Sequence, residues 1–133
     1  MNEHNPDSPW TVFEWATIRI VPSVHREQFL NIGVIVHARR IEFLEARIEV
    51  PWERLEALAP GVDRAGVERH LTAYLSICRG EQDAGPVALL PPSERFHWLT
   101  APRSAVIQTS ERRPGRERDI GQALERLFRE QCA

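Results

Sequence analysis

The chain has 133 residues, 42% of them hydrophobic and 27% charged, which suits one globular domain with enough apolar surface to bury a core. No apolar run approaches the roughly 18 residues of a membrane span, the N-terminus lacks a signal-peptide pattern, and Cys78 and Cys132 are too few for a disulfide framework, so a cytoplasmic protein with no membrane partner is expected. A formal net charge of −2, with all 17 basic residues arginine, argues against coating nucleic acid by charge alone.

Residues 1–10 are polar and carry Pro6 and Pro9, so a disordered lead-in is expected there and a single domain over 11–133. From Thr11 to Val21 the residues are β-branched, aromatic or apolar with polar interruptions, and Pro22 ends this first strand. A polar loop over Ser23 to Gln28 leads to Phe29–His37, the strongest strand signal in the chain, and Ile41–Val50 alternates into a third strand that stops at Pro51. Short connections make antiparallel pairing the economical arrangement.

Pro51 opens a short helix through Trp52, Leu55 and Leu58, broken by Pro60-Gly61. Asp63 then caps a longer helix with the stripe Val67, Leu71, Tyr74, Leu75 and Cys78, terminated by Gly80. Residues 81–94, rich in Gly and Pro, predict a long loop with one short strand around Val87–Leu90. Arg95–Leu99 and Ser104–Thr109 read as two further strands, a polar loop follows, and Asp119 caps a last helix with the stripe Ile120, Ala123, Leu124, Leu127 and Phe128. The fold class is therefore α+β: an antiparallel sheet of about four to six strands, with the Asp63–Arg79 and Asp119–Glu130 helices on its one apolar face.

Strand periodicity also assigns a face to each polar group. Pairing Ile20 with Leu30, Ile18 with Ile32 and Ala16 with Val34, then Ile48 with Ile32, Ala46 with Val34 and Leu44 with Val36, gathers the apolar groups on one side. A slip of one residue would set Glu45, Arg47 and Glu49 among them, at several kcal/mol for each unpaired charge. The opposite side then carries Arg19, Asn31 and Glu49 in one row, Thr17, Gly33 and Arg47 in the next, and Trp15, Ile35 and Glu45 in a third. A mid-strand glycine often marks close approach of a ligand or another backbone, so Gly33 predicts a notch lined by Arg19, Asn31 and Glu49, with Arg26 and Glu27 in the loop at its end. Arginine donors beside amide and carboxylate acceptors suit an anionic or polar ligand, or the polar face of a protein partner. An ordinary solvated row has the same composition, each pair contributing about 0.2–1 kcal/mol, and that alternative stays open.

Other constellations are weaker. The five histidines are scattered without metal-ligand spacing, so no metal site is expected. No phosphate loop, nucleophile elbow or cofactor motif is present, and Cys78 lies on an apolar helix stripe. From Arg95 to Arg118 six arginines face only Glu111 and Glu117, and Arg112, Arg113, Arg116 and Arg118 cluster in a loop that reads most simply as solvated.

The segments Arg19-Ile-Val-Pro22 and Arg26-Glu-Gln-Phe-Leu-Asn-Ile-Gly-Val34 resemble a bacterial family catalogued as a domain of unknown function, number three thousand and thirty-seven. Glu94–Gln108 is similar to its later block and Leu124–Phe128 to its terminal helix, so the resemblance spans roughly residues 11 to 130. It carries over no activity. Arg19, Arg26, Asn31 and Gly33 match its first motif, and Arg103 and Gln108 its later block. The chain departs from it after Ser110, where Glu111–Gly115 replaces a histidine-bearing stretch. The resemblance also implies that members are sometimes encoded beside kinase-like toxin proteins, which suits an accessory role.

Three functions compete. The absence of any catalytic motif favours a non-catalytic binding or accessory module using Arg19, Asn31 and Gly33 with Arg26 and Glu27. An enzyme acting on a phosphorylated or nucleotide-like substrate needs Arg19, Arg26 and Arg103 to converge as clamps, with Glu27 as acid or base. RNA or single-strand binding would use Phe13, Trp15, His37 and Phe43 beside Arg47 on the sheet, against the charge of Glu45 and Glu49. A free sheet edge would also permit a homodimer.

Overall fold

The computed structural model describes residues 9–23, 28–103 and 105–132. Its strands are β1 (Thr11–Ser23), β2 (Gln28–Ala38), β3 (Phe43–Ile48), β4 (Ile107–Thr109) and β5 (Arg113–Glu117), and its helices α1 (Trp52–Leu58), α2 (Arg64–Arg79), α3 (Pro92–Leu99) and α4 (Ile120–Cys132). The five strands form one antiparallel sheet in the order β3-β2-β1-β4, and β5 pairs with β1 beyond the end of β4. The fold is α+β.

The long helices start and stop where their end residues dictate. Asp63 Oδ1 accepts from Gly66 N at 3.1 Å, and Gly80 closes α2 in the left-handed conformation at φ 70°. At the start of α4, Asp119 Oδ1 accepts from Gln122 N at 3.2 Å.

The helices divide over two faces of the sheet, which corrects the expectation that they share one. Helices α1, α2 and α3 bury Leu55, Val67, Leu71, Tyr74, Phe96 and Leu99 against Ala16, Ile18, Ile20, Ile32 and Ile35. Helix α4 buries Ile120, Ala123, Leu124 and Leu127 against Phe13, Trp15, Val34, Val36 and Ala38 on the other side. Strand β2 is therefore covered above and below, which is why Ile32 through Ala38 reads as an almost unbroken apolar run. Each fully buried Ile or Val there contributes about 1.5–3 kcal/mol of transfer free energy.

The register differs from the expected one at a single residue. Ile20 pairs with Leu30 and Arg19 with Asn31 as anticipated, but Ile18 then pairs with Gly33, Thr17 with Val34 and Ala16 with Ile35. Ile32 is the extra residue of a β-bulge. Between β2 and β3 the turn is also one residue longer than expected, a 3-10 turn at Arg39–Ile41 followed by Glu42 at φ 52°, so Gly33 pairs with Ile48 and Val34 with Arg47. The two shifts cancel between β1 and β3, whose faces are as expected, while β2 is turned over from Gly33 onward. The charge penalty invoked for a slip does not apply. β3 is an edge strand, and Arg47 reaches round to Glu125 at 3.3 Å and lies 4.6 Å over the Phe128 ring.

Three further segments differ from expectation. Residues 95–99 belong to helix α3, not a strand, because Pro91 leads in with an extended backbone, Pro92 occupies the first turn, and Phe96 and Leu99 bury at helical spacing. The expected short strand near Val87 is a 3-10 turn at Val87–Leu89. The supposed loop after Ser110 contains β5, where Pro114 is tolerated because the strand lies at the sheet edge and Gly115 leaves room for the buried Phe13 ring.

Candidate binding row and a second cleft

Arg19 stands in the middle of a row that crosses three strands. Its backbone partner on β2 is Asn31 and on β4 is Gln108, so three of the residues singled out from sequence meet side by side. They lie on the α4 face, at the end where that helix stops. Asn31 Nδ2 donates to the Gln131 carbonyl in the last turn of α4 at 3.1 Å. Because that carbonyl can only accept, the amide orientation is fixed and Asn31 Oδ1 points the other way. Among the described residues Oδ1 is buried without a hydrogen-bond partner, and so is Arg19 Nε. The Arg19 guanidinium stacks 4.2 Å from the ring of Phe29, itself 49% exposed. Burial first, and the nearby Arg113 second, push the Arg19 pKa down, yet the group stays cationic at any ordinary pH. Gln108 Nε2 is turned to the Ala105 carbonyl at 2.8 Å.

The remaining candidates are placed differently. Glu49 follows Arg47 on the same face and pairs with it at 3.6 Å, not with Arg19. Gly33 is turned to the opposite face, against Ile48, so the expected notch does not open beside Arg19. A Cβ on Gly33 would collide with the Arg47 carbonyl oxygen and sit 2.9 Å from Ile48 Cγ1, so β3 itself is what approaches closely. Arg103 belongs to the α3 layer: it donates to the carbonyls of Trp98 and Ala101 and stacks 4.4 Å over the Trp98 ring. Arg26 and Glu27 lie outside the described residues. The three-arginine clamp is therefore not formed between Arg19 and Arg103, and the aromatic face meant for bases is buried under α4, with Phe13 at 2% and Trp15 at 9% exposure.

A second cleft, of about 480 Å³, which alternation in the sequence does not reveal, lies at the far end of β1 and β2 beside α3. Val12, Phe13 and Glu14 of β1, His37 at the end of β2, Arg39, and Ser93, Glu94 and His97 of α3 line it. His37 is 6% exposed, its ring 5.0 Å from that of Phe96. Burial lowers its pKa, opposed by Glu14 and assisted by His97 and Arg39, so the imidazole is neutral at pH 7. Arg112 Nη1 donates to His97 Nδ1 at 2.6 Å. Only the bulge could have revealed this grouping, because it makes Glu14 and His37 cross-strand partners. Among the described residues no three His, Cys, Asp or Glu side chains are placed to hold a metal ion.

The fold is a two-faced α+β sheet with a polar row at one end of β1 and a cleft at the other. The chain belongs to the family described as "Protein of unknown function (DUF3037)", whose model matches residues 15–132. No curated protein and no solved structure matches it. No described helix is long and apolar enough to cross a membrane.

Proposed function

We propose that this protein is a non-catalytic binding module that grips a protein partner at the Asn31–Arg19–Gln108 row. One observation carries the reading: a buried donor, Arg19 Nε–H, and a buried acceptor, Asn31 Oδ1, stand on neighbouring strands, both without a partner among the described residues. Each such atom costs about 1–3 kcal/mol until it is satisfied. A bare anion would satisfy only Arg19. A peptide group, or a side-chain amide, offers a carbonyl to Arg19 and an N–H to Asn31 together, and the exposed Phe29 supplies an apolar contact beside them. Arg26 and Glu27, in the connection between β1 and β2, are the nearest further candidates in sequence. A small polar ligand with the same donor and acceptor is the alternative occupant, and a kinase-like protein of the kind the resemblance implies is the first partner to try.

The test is affinity capture with three forms of the protein: wild type, Arg19→Ala with Asn31→Ala, and Arg103→Ala, all first shown by circular dichroism to be equally folded. The expected outcome is one protein retained by wild type and by Arg103→Ala and lost from the double variant. Equal retention by all three, or capture of nothing by any, overturns the proposal.

A further inference from the structure

The two edges of the sheet are not alike. On one, the short β4 gives way to β5, whose Pro114 has no N–H to offer another strand. On the other, β3 runs unbroken from Phe43 to Ile48 with neither proline nor glycine. The Glu49 N–H donates to the Ile32 carbonyl at 2.8 Å, and Gly33 pairs with Ile48. Antiparallel alternation then turns the backbone groups of Phe43, Glu45 and Arg47 toward β2, and those of Leu44, Ala46 and Ile48 outward. Among the described residues these outward N–H and C=O groups find no partner. Beside the edge, half-buried Ile48, Val50, Trp52 and Leu75 line a cleft of about 270 Å³.

We infer that two copies of this chain pair through β3, antiparallel and two-fold about Ala46, so that their sheets join into one. A two-fold axis normal to the sheet keeps each face continuous, so every residue must stand opposite one of its own face. Near the middle of the strand that leaves registers centred on Glu45, Ala46 or Arg47. About Glu45, two carboxylates would face each other; about Arg47, two guanidiniums would, with Glu45 opposite Glu49. About Ala46, Glu45 stands opposite the second copy's Arg47, twice over, and Leu44 opposite Ile48. The same register brings the outward backbone groups of Leu44, Ala46 and Ile48 together in hydrogen-bonded pairs. Glu45 is exposed and makes no ion pair among the described residues. The Arg47 side chain is 42% exposed, and its five N–H donors exceed what Glu49 and Glu125 take up. Any strand could use the free backbone groups, but the self-complementary order Leu-Glu-Ala-Arg-Ile selects a second copy. The edge lies two strands from Arg19, so this pairing and the Arg19 row can fail separately.

The experiment is sedimentation equilibrium of the full chain from micromolar to millimolar concentration, with circular dichroism to show that each variant is folded. The mass is expected to rise with concentration from the 15.3 kDa of one chain toward twice that value. Ala46→Pro removes an outward N–H, spares the bonds to β2, and is expected to abolish the rise. Glu45→Arg alone and Arg47→Glu alone each set like charges opposite one another at both pairs, and each is expected to weaken self-association about tenfold. An equimolar mixture of these two variants is expected to associate as a heterodimer, because each then meets the opposite charge. Arg47→Glu also loses its contacts to Glu125 and Phe128, which mixing does not repair, so the rescue reports the pairing alone. A monomer at millimolar concentration, a dimer indifferent to Ala46→Pro, or a mixture that associates no better than its parts overturns the inference.

Discussion

Replacing Gly33 by alanine separates two explanations of a glycine in the middle of a sheet. In the structure the added methyl group would overlap the Arg47 carbonyl oxygen and stand 2.9 Å from Ile48 Cγ1 and 3.1 Å from Ile48 Cα. These are atoms of β3, two of them backbone, so relief requires the β2–β3 ladder to open locally. Overpacking of this kind costs about 1–3 kcal/mol, with the backbone contacts pointing to the upper half. Against it stands the reduced entropy of the unfolded chain, about 0.4–1 kcal/mol in favour of alanine. The balance is a loss of about 1–2 kcal/mol, or roughly 3–10 °C in Tm for a chain of this length. Urea and thermal denaturation of Gly33→Ala would measure it. A variant as stable as wild type, or more stable, would refute the packing argument, and a simultaneous loss of binding would restore the reading in which Gly33 makes room for a ligand.

Asp63→Ala removes the cap of α2 and is expected to lower stability by about 1 kcal/mol, seen as a reduced urea midpoint at unchanged slope. His37 has its pKa lowered in the fold, so the unfolded chain binds the extra proton more readily. Its contribution to stability is complete above the ordinary histidine pKa near 6.5 and is lost as pH falls below it, at no more than about 1.4 kcal/mol per pH unit. His37→Gln should flatten that part of the stability profile between pH 7 and 5, and an unchanged profile would count against the buried neutral imidazole. Burial pushes the Cys78 thiol up to about 12 and Cys132 to about 11. At pH 8 an alkylating reagent is expected to modify half-buried Cys132 slowly and Cys78 only on unfolding, and rapid labelling of Cys78 in the native protein would contradict its place on the buried face of α2.

The parts of the fold legible in the sequence are those whose signals are local. Asp63 and Gly80 bracket α2, Asp119 opens α4, and each cap acts within one turn of its helix. In helix α3 the strand preference of Phe96 and Trp98 masks signals that are also local, the Pro91-Pro92 lead-in and the helical spacing of Phe96 and Leu99. β5 was hidden for the opposite reason. Arg113-Pro-Gly-Arg has no strand propensity, and it is drawn into the sheet by pairing with Thr11–Trp15, about a hundred residues away. Of the candidate residues, Arg19, Asn31 and Gln108 meet because their pairing lies on the near side of the bulge, where the expected register holds. Glu49 and Arg103 do not join them because each finds a nearer partner, Arg47 in one case and the end of α3 in the other.

The bulge at Ile32 is what turns the two ends of β2 to opposite faces of the sheet. Asn31 and His37 are an even number of residues apart and in a regular strand would share a face. The inserted residue leaves Asn31 in phase with Arg19 under the end of α4, and turns His37 to the side of Glu14, where α3 brings Glu94 and His97. A bulge is invisible to alternation alone, because Ile32-Gly33-Val34-Ile35-Val36 is apolar in either phase, and only burial on both faces makes that ambiguity tolerable. The same double burial holds β2 in register: a one-residue slip would turn Val34 and Val36 away from α4.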